Sequence, residues 1–234
     1  MVEDEGYYQI TRENLLRELD DELYVRETLA NVASLKVERV LDVGCGIGQA
    51  LFPLAVCQGA LGVGIDISPM GLRMGREFYA AHRPEAVIQF VHARAEFLPF
   101  AAESFDLVHC GLALPYMDNA RTIAEVSRVL RPGGMFLLKI HHALYYLREL
   151  WQGLMRRDLL SVIHGGRVLT AGTLYHLMQR QPRAKLLNES FQTRWLLERE
   201  LNKHGLSIER EQTKTNPQTP AFVIYKKDSS TQRA

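Results

Sequence analysis

The 234-residue sequence has few cysteines, almost no net charge and no recognisable metal-ligand pattern. Its cysteines, Cys45, Cys57 and Cys110, are odd in number and show no C-x-x-C spacing. This excludes a disulfide framework or a zinc knuckle as the organising feature and is typical of a reducing compartment. The formal net charge is +1, so composition predicts no polyanionic partner such as nucleic acid. We therefore expect a small-molecule partner and no metal.

Signals for export or membrane insertion are also missing. Residues 1–8 are acidic and aromatic, without a basic segment followed by an apolar one. No apolar run reaches membrane-spanning length. The sequence therefore predicts a cytoplasmic protein without a membrane partner, and it carries no information on the oligomeric state.

A glycine-rich turn follows the first apolar strand, Val40–Val43, which contains Asp42. Gly44, Gly46 and Gly48 alternate there, at positions where a Cβ would hinder a tight turn or a closely approaching ligand. Nicotinamide-binding loops have the spacing G-x-G-x-x-G, whereas this loop has G-x-G-x-G. The loop is thus predicted to bind a ligand other than NAD.

An acidic residue, Asp66, follows the second apolar strand at 61–65. It lies about twenty residues beyond the glycines, where a carboxylate at a strand tip can accept hydrogen bonds from both hydroxyls of a ribose. The glycine loop and Asp66 together predict a nucleoside-containing ligand.

Strand and helix patterns alternate along the chain, which predicts a parallel sheet with crossover helices on both faces. The apolar spacing over residues 11–34 predicts one or two further helices before the first strand. The predicted strands are 39–43, 61–65, 87–91, 106–110, 134–140, 207–210 and 221–225, and the predicted helices are 48–58, 69–81 and 119–130.

With these residues the sequence resembles the class I S-adenosylmethionine-dependent methyltransferases, and most closely their small-molecule group. That group reads D-x-G-C-G-x-G, an acidic strand tip and then A-E-x-L-P-F, which here is Ala95–Phe100. Ser104–Val108 and Arg128–Gly134 follow in the same order. The resemblance implies an α/β fold: a Rossmann-like, seven-stranded, mostly parallel sheet with helices on both faces and an antiparallel terminal hairpin. It also implies S-adenosylmethionine as methyl donor, S-adenosylhomocysteine as product and a small-molecule acceptor.

The resemblance also implies which residues contact the cofactor. Asp66 would hold the ribose, Ile67 and Met70 would wall the adenine, and the Cys110 backbone carbonyl would meet the ammonium group. Asp42 would lie below the amino acid moiety, or would cap local backbone N–H groups instead. The full expected set is Asp42, Gly44, Cys45, Gly46, Gly48, Asp66, Ile67, Met70, Ala95, Glu96 and Cys110.

One residue departs from the family pattern. Just before Ala95 the family has an aspartate that accepts from the adenine amino group, but here the residue is Arg94, which has only donors. Adenine would then be bound by the Ala95 backbone and by shape, or Arg94 would stack on the ring.

The chain divides into four predicted parts: an N-terminal helical cap (1–38), the core (39–140 and 205–227), a lid (141–204) and a disordered tail (228–234). The lid follows the fifth strand, so its return path should cross the carboxyl ends that hold the ligand. It has ten Lys and Arg against five Asp and Glu, and Gly165-Gly166 and Ala171-Gly172 are expected to break it into helical pieces. In the cap, Tyr7 and Tyr8 either fold over the cofactor, as the family implies, or are packing residues.

Candidate catalytic residues lie just past strands that end at the site. His141 and Tyr116 could act as general bases, and His141 is preferred because a neutral imidazole accepts protons near neutral pH. His141 could also be a strand-end residue that is satisfied by local backbone. The alternatives to a methyltransferase are a non-catalytic S-adenosylmethionine-binding or scaffold protein, and another nucleotide-cofactor enzyme on the same fold.

Overall fold

The computed structural model describes residues 5–182, 187, 189–213 and 215–227, so the predicted tail at 228–234 lies outside the described residues. Its centre is a seven-stranded sheet. The strands are β1 (Arg39–Val43), β2 (Leu61–Asp66), β3 (Ile88–His92), β4 (Phe105–Gly111), β5 (Leu130–Lys139), β6 (Leu206–Glu211) and β7 (Ala221–Lys226).

The strand order is β3-β2-β1-β4-β5-β7-β6. Strands β1 to β5 pair in parallel, whereas β7 runs antiparallel to both β5 and β6. The predicted fold class, including the terminal hairpin, is confirmed. From β1 the strands are added towards one edge of the sheet up to β3, and from β4 onwards they are added towards the other edge. Ligands of open α/β sheets bind beside the carboxyl ends of the strands at such a switch point, here between β1 and β4.

Helices cover both faces of this sheet. They are α1 (Glu5–Glu18), α2 (Glu22–Ala30), α3 (Leu51–Leu54), α4 (Pro69–His82), α5 (Asn119–Val129), α6 (Ala143–Arg156), α7 (Leu159–Met178) and α8 (Arg194–Lys203). Helix α4 begins as predicted, with Pro69 in its first turn and the Ser68 side chain accepting a hydrogen bond from the Gly71 amide. None of the helices in the described ranges is long and apolar enough to cross a membrane.

The alternation of side chains along the strands produces two apolar layers, one on each face of the sheet. Leu41 and Val43 belong to the layer covered by α5 and α8, where Ile123 and Leu197 are buried. The opposite layer contains Val40 together with buried residues of α1, α3 and α4. Because β1 is buried on both sides, packing holds its carboxyl end in place, and with it the beginning of the glycine loop.

The helix predicted over 48–58 is wrong in extent. Gly48 has a φ of 86°, which is left-handed, so no α-helix begins there. Helix α3 spans only Leu51–Leu54, and a 3-10 turn over Val56–Gln58 leads to Gly59, which has a φ of 65°.

The other predicted bounds agree within one residue, except that α1 begins earlier and β5 starts at Leu130. There Leu130 pairs with Phe105 and Met135 pairs with Leu107, so 131–134 form a bulge.

The expected breaks in the lid are also wrong, since α7 continues through both Gly165-Gly166 and Ala171-Gly172. The glycines allow close packing instead. A Cβ on Gly165 would lie 3.2 Å from the Tyr146 carbonyl oxygen, and a Cβ on Gly153 would lie 3.0 Å from the Ser161 Cβ. A Cβ on Gly172 would overlap the Phe191 ring. These positions bring α6, α7 and the segment at 189–192 into contact.

Alanine substitutions at two glycines of α7 are therefore expected to have opposite effects on stability. Gly172→Ala should lower the free energy of unfolding by about 1–3 kcal/mol because the methyl group overpacks against Phe191. Gly166→Ala should raise it by up to about 1 kcal/mol through helix propensity, since its nearest atom, Leu150 Cδ1, would be 4.0 Å from the new Cβ. Urea denaturation of both variants measures this. Equal effects of the two substitutions would contradict the packing role of Gly172.

Candidate functional site

The glycine loop is tied to both neighbouring strands. The amides of Gly44 and Cys45 both donate to the Ile65 carbonyl oxygen at 2.9 Å, at the end of β2. Gly44 has a φ of 71°, and a Cβ there would lie 2.5 Å from the Ala113 Cβ. The segment that follows β4 thus packs directly on the loop, so the sequence tolerates no side chain at Gly44.

Gly46 and Asp66 are joined directly. The Gly46 amide donates to Asp66 Oδ2 at 2.8 Å, and the Ser68 amide donates to Asp66 Oδ1 at 2.9 Å. A carboxylate oxygen has two lone pairs, so each still has capacity to accept from a ligand hydroxyl. The predicted pair of glycine loop and strand-tip acid is therefore a single hydrogen-bonded unit.

Helix α1 covers this unit. Tyr8 is buried, and its ring is the nearest group to the open side of Gly46, 3.8 Å from where a Cβ would stand. A Cβ on Gly71, at the start of α4, would lie 2.9 Å from the same ring. Tyr7 is 61% exposed and contacts Tyr8 edge-to-face. Of the two tyrosines, only Tyr8 packs over the loop.

The residues around Asp66 fit an adenosyl ligand. Gly46 presents backbone without a side chain, and Asp66 offers acceptors for ribose hydroxyls. Ile67 is 49% exposed beside them, as expected of a side chain that covers a flat ring. Met70, in the first turn of α4, is partly buried. We expect Asp66, the loop backbone, Ile67 and Met70 to hold S-adenosylmethionine.

Asp42 is held by a residue that the sequence did not single out. Its Oδ1 lies 2.7 Å from His109 Nδ1, on the neighbouring position of β4. Asp42 is buried, and none of the hydrogen bonds found among the described residues joins its carboxylate to a backbone amide of the loop. It anchors β1 to β4 below the glycine loop. The register Asp42 to His109 depends on the strand order, which no local pattern could reveal.

The two cysteines of the site are buried packing residues. Burial, followed by the charge of Asp42, raises the pKa of Cys110 to about 12, so its thiol stays protonated near neutral pH. Burial also raises the pKa of Cys45. A Cβ on Gly64 would meet Cys45 Sγ at 2.7 Å, so this thiol fills the space beside β2. Neither thiol is available as a nucleophile.

Glu96 links the A-E-F-L-P-F motif to the start of α5. It accepts from the Asp118 amide at 3.1 Å and from Arg94 Nε at 3.3 Å. Burial opposes ionisation, but these hydrogen bonds outweigh it and lower the pKa of Glu96. Arg94 is mostly exposed and bound to Glu96, while Ala95 is buried. The Arg94 side chain is thus occupied by a carboxylate next to the expected adenine rim.

His141 belongs to a buried chain of polar groups that runs through the lid. Its Nδ1 lies 3.2 Å from the Tyr146 hydroxyl, which donates to Glu189 Oε1 at 2.8 Å. The other carboxylate oxygen, Glu189 Oε2, lies 2.9 Å from His164 Nε2. His164 Nδ1 in turn lies 3.0 Å from Glu149 Oε1. We call these five residues the lid relay.

The donors of the lid relay determine the tautomer of His141. Tyr146 has one hydroxyl proton and gives it to Glu189, so it can only accept from His141, whose Nδ1 must carry the proton. Nε2 is then the basic nitrogen, and it has no hydrogen-bond partner in the described part of the chain. Burial, only partly offset by the charge of Glu189, lowers the pKa of His141 and keeps the ring neutral.

Tyr116 lies near the same carboxylate. Burial raises the pKa of its hydroxyl, and the negative charge of Glu189 raises it further. The phenol therefore stays protonated, with its hydroxyl hydrogen-bonded to Glu189, and it is a poor base. His141 and Tyr116, which the sequence predicted as candidates, are both close to Glu189. Sequence reasoning missed Tyr146, His164 and Glu189, because Glu189 comes from an irregular segment far along the chain.

Comparisons with known proteins agree with this geometry. Residues 41–138 match the family model of the methyltransferase domain. An S-adenosylmethionine-dependent methyltransferase from Mesorhizobium loti superposes with a TM-score of 0.60 and 19% identity, covering 88% of this chain and 99% of that one. Residues 41–138 are therefore similar to a methyltransferase domain, and the sheet has the same fold as this S-adenosylmethionine-dependent methyltransferase.

Two curated relatives indicate the breadth of the family. O-methyltransferase rstn1 of Aspergillus nomiae is 32% identical over 129 residues, 55% of this chain and 57% of that protein. The ubiquinone/menaquinone biosynthesis C-methyltransferase UbiE of Francisella philomiragia is 30% identical over 119 residues, 50% of this chain and 48% of that protein. The chain spans about half the length of these relatives.

Because His164 contacts both Glu149 and Glu189, we expect the stability of the protein to depend on pH. Burial lowers the pKa of His164, but hydrogen bonds to Glu189 and Glu149 outweigh it, and the net pKa is raised. The stabilisation should therefore be complete below the unfolded pKa of about 6.5 and should be lost as pH rises through the higher folded pKa. Thermal unfolding of the wild type and His164→Gln should differ most at about pH 6 and converge above about pH 8.

Glu149→Gln provides the matched variant for this test. It keeps the imidazole but removes one of the two carboxylates, so the pH at which the stability falls should be lower than in the wild type. A difference between wild type and His164→Gln that is constant across this pH range would contradict a charged His164 between the two carboxylates.

Proposed function

We propose that the protein transfers the methyl group of S-adenosylmethionine to a hydroxyl group, or to a ring carbon beside one, on a small acceptor molecule. The observation that carries the proposal is the Nε2 of His141, which the lid relay leaves unprotonated just past the carboxyl end of β5. A carboxyl-end position is where ligands of this sheet class bind. The base comes from the lid and the cofactor unit from the core, so the acceptor would lie between them.

The cofactor, when bound, supplies a methyl group on a positively charged sulfur, which becomes neutral as the acceptor forms the new bond to carbon and the sulfur keeps the electron pair. The loop backbone and Asp66 would hold its ends. Helix α1, whose buried Tyr8 packs over Gly46, would exclude water from the cofactor. Alignment and exclusion of water supply much of the acceleration of such a displacement.

His141 would take the proton of the acceptor. Its neutral Nε2 accepts the proton while Nδ1–H remains bound to Tyr146, and Glu189 stabilises the positive ring that results. Tyr145, which stacks on the imidazole with ring centroids 4.3 Å apart, holds its plane. In this scheme His141 is the catalytic residue, and Tyr146 and Glu189 position it.

The proposed acceptor class follows from the reactions that a single general base can assist. A phenol or hydroquinone that loses its hydroxyl proton carries the negative charge on oxygen and on the adjacent ring carbons. One base can thus serve O- or C-methylation, the two reaction types named in the relatives reported above. A scaffold that only bound S-adenosylmethionine would need no such base, and a dehydrogenase would need a different glycine spacing.

Methyl-labelled S-adenosylmethionine, incubated with a panel of phenols, hydroquinones, amines and carboxylic acids, tests the proposal. We expect label transfer to phenols or hydroquinones. His141→Gln should lower kcat by about 10²–10⁴-fold, as removal of a general base does, with little change in cofactor affinity. Cofactor binding by the wild type without transfer to any panel member would favour the non-catalytic alternative.

Tyr146→Phe and Tyr145→Phe form a matched pair for the role of the relay. Both keep an aromatic ring, but only Tyr146→Phe removes the hydroxyl that accepts from His141. We expect Tyr146→Phe to lower kcat and to shift the ¹⁵N signals of His141 towards the Nε2-protonated tautomer, while Tyr145→Phe leaves both unchanged. An unchanged His141 tautomer in Tyr146→Phe would show that the relay does not set its protonation.

A further inference from the structure

The hairpin of α6 and α7 carries an apolar surface that faces solvent. On α6 the exposed apolar residues recur every three or four positions, which puts them on one face of the helix. At the start of α7, Leu159 and Leu160 are 73% and 80% exposed. The complete patch is Leu144, Leu147, Trp151, Leu154, Met155, Leu159, Leu160 and Ile163, and we call it the hairpin patch.

The hairpin does not need this patch for its own packing. Its inner surface is already close-packed around Gly153 and Gly165, and the buried Tyr146 and Val168 join it to Phe191. The outer apolar face has no partner among the described residues. The exposed apolar residues of α6 lie on one helix face, and a large exposed apolar surface marks a site of interaction with a protein or a membrane.

Positive charge surrounds the hairpin patch. Arg148 on α6 and the pair Arg156 and Arg157 at the turn are exposed. The two acids of the hairpin are engaged within it: Glu149 pairs with His164, and Asp158 accepts from the amides of Leu160 and Ser161. An apolar face with a tryptophan, bordered by arginines, is the composition of helices that lie in the interface of anionic membranes.

We propose that the α6–α7 hairpin docks on an anionic lipid surface, with the hairpin patch inserted among the acyl chains and the arginines at the headgroups. Charge favours this occupant over a second copy of the chain. A pairing of hairpin patches that placed the two turns side by side would bring Arg156 and Arg157 of both copies together. An anionic surface instead neutralises them.

The proposal departs from the sequence-based expectation of no membrane partner. That expectation rested on the net charge of +1 and on the lack of a long apolar run. Net charge and the length of apolar runs are properties of the linear sequence, whereas the hairpin patch combines residues of two helices. Docking would hold the lid relay near the lipid surface, where an acceptor with an apolar tail would partition. The inference does not depend on the proposed chemistry, because lipid binding is measured without turnover.

Flotation with lipid vesicles tests the proposal. The full chain should float with vesicles of phosphatidylcholine containing phosphatidylglycerol and much less with phosphatidylcholine alone. Arg156→Gln/Arg157→Gln should weaken binding about thirtyfold, since each arginine near the surface contributes roughly fivefold. The double variant Leu159→Ser/Leu160→Ser should weaken it by roughly tenfold or more.

Matched controls come from equally exposed residues elsewhere. Leu23→Ser/Val87→Ser removes two apolar side chains that are each 60% exposed, and Arg73→Gln removes an arginine of α4 that is 64% exposed. Both should bind vesicles like the wild type. Unchanged thermal unfolding and S-adenosylhomocysteine affinity in the hairpin variants would show that they remain folded.

Two results would overturn the proposal. One is vesicle binding that is absent, or that the hairpin variants leave unchanged. The other is a concentration-dependent dimer, seen by analytical ultracentrifugation and lost in Leu159→Ser/Leu160→Ser, together with no flotation. In that case a second copy, rather than lipid, would cover the hairpin patch.

Discussion

The hydrogen bond from the Gly46 amide to the Asp66 carboxylate is the contact on which the rest of the site depends. It joins the loop after β1 to the tip of β2, and it requires a residue without a Cβ at a left-handed φ of 54°. The same glycine leaves its open side to Tyr8 of α1. Because β1 is buried on both faces of the sheet, this contact has a fixed position, and a cofactor can be bound with little rearrangement.

The lid follows a different physical rule, because it buries ionisable groups. A buried carboxylate is costly unless donors satisfy both of its oxygens, and Glu189 has Tyr146 on one oxygen and His164 on the other. Satisfying Glu189 in this way also assigns the proton of His141. The contacts that satisfy Glu189 are therefore the ones on which the proposed role of His141 as a base depends, while the outer face of the same hairpin stays apolar and exposed.

Sequence patterns predicted the parts of the fold that depend on local alternation. Most strand bounds, the Pro69 start of α4, and the pairing of the glycine loop with Asp66 all follow from spacing along the sequence. The glycines of α7 were misread, because Gly165 and Gly172 serve contacts with Tyr146 and Phe191 that only the tertiary structure brings near. For the same reason His109 and Glu189 could not be found: the first depends on strand order, and the second lies on an irregular segment, 189–192, that packs against α6 and α7.

The most direct test of the account is calorimetric titration of S-adenosylhomocysteine into the wild type and Asp66→Asn. Asp66→Asn keeps one acceptor oxygen, which can serve either the Gly46 or the Ser68 amide, and removes the charge. Affinity should therefore fall by about 1.5–3 kcal/mol, the value of charge-assisted hydrogen bonds. NAD should give no binding heat, and Glu77→Gln, on the exposed face of α4, should bind like the wild type. Equal affinity of Asp66→Asn and wild type would contradict the claim that the joined glycine loop and Asp66 form the cofactor site.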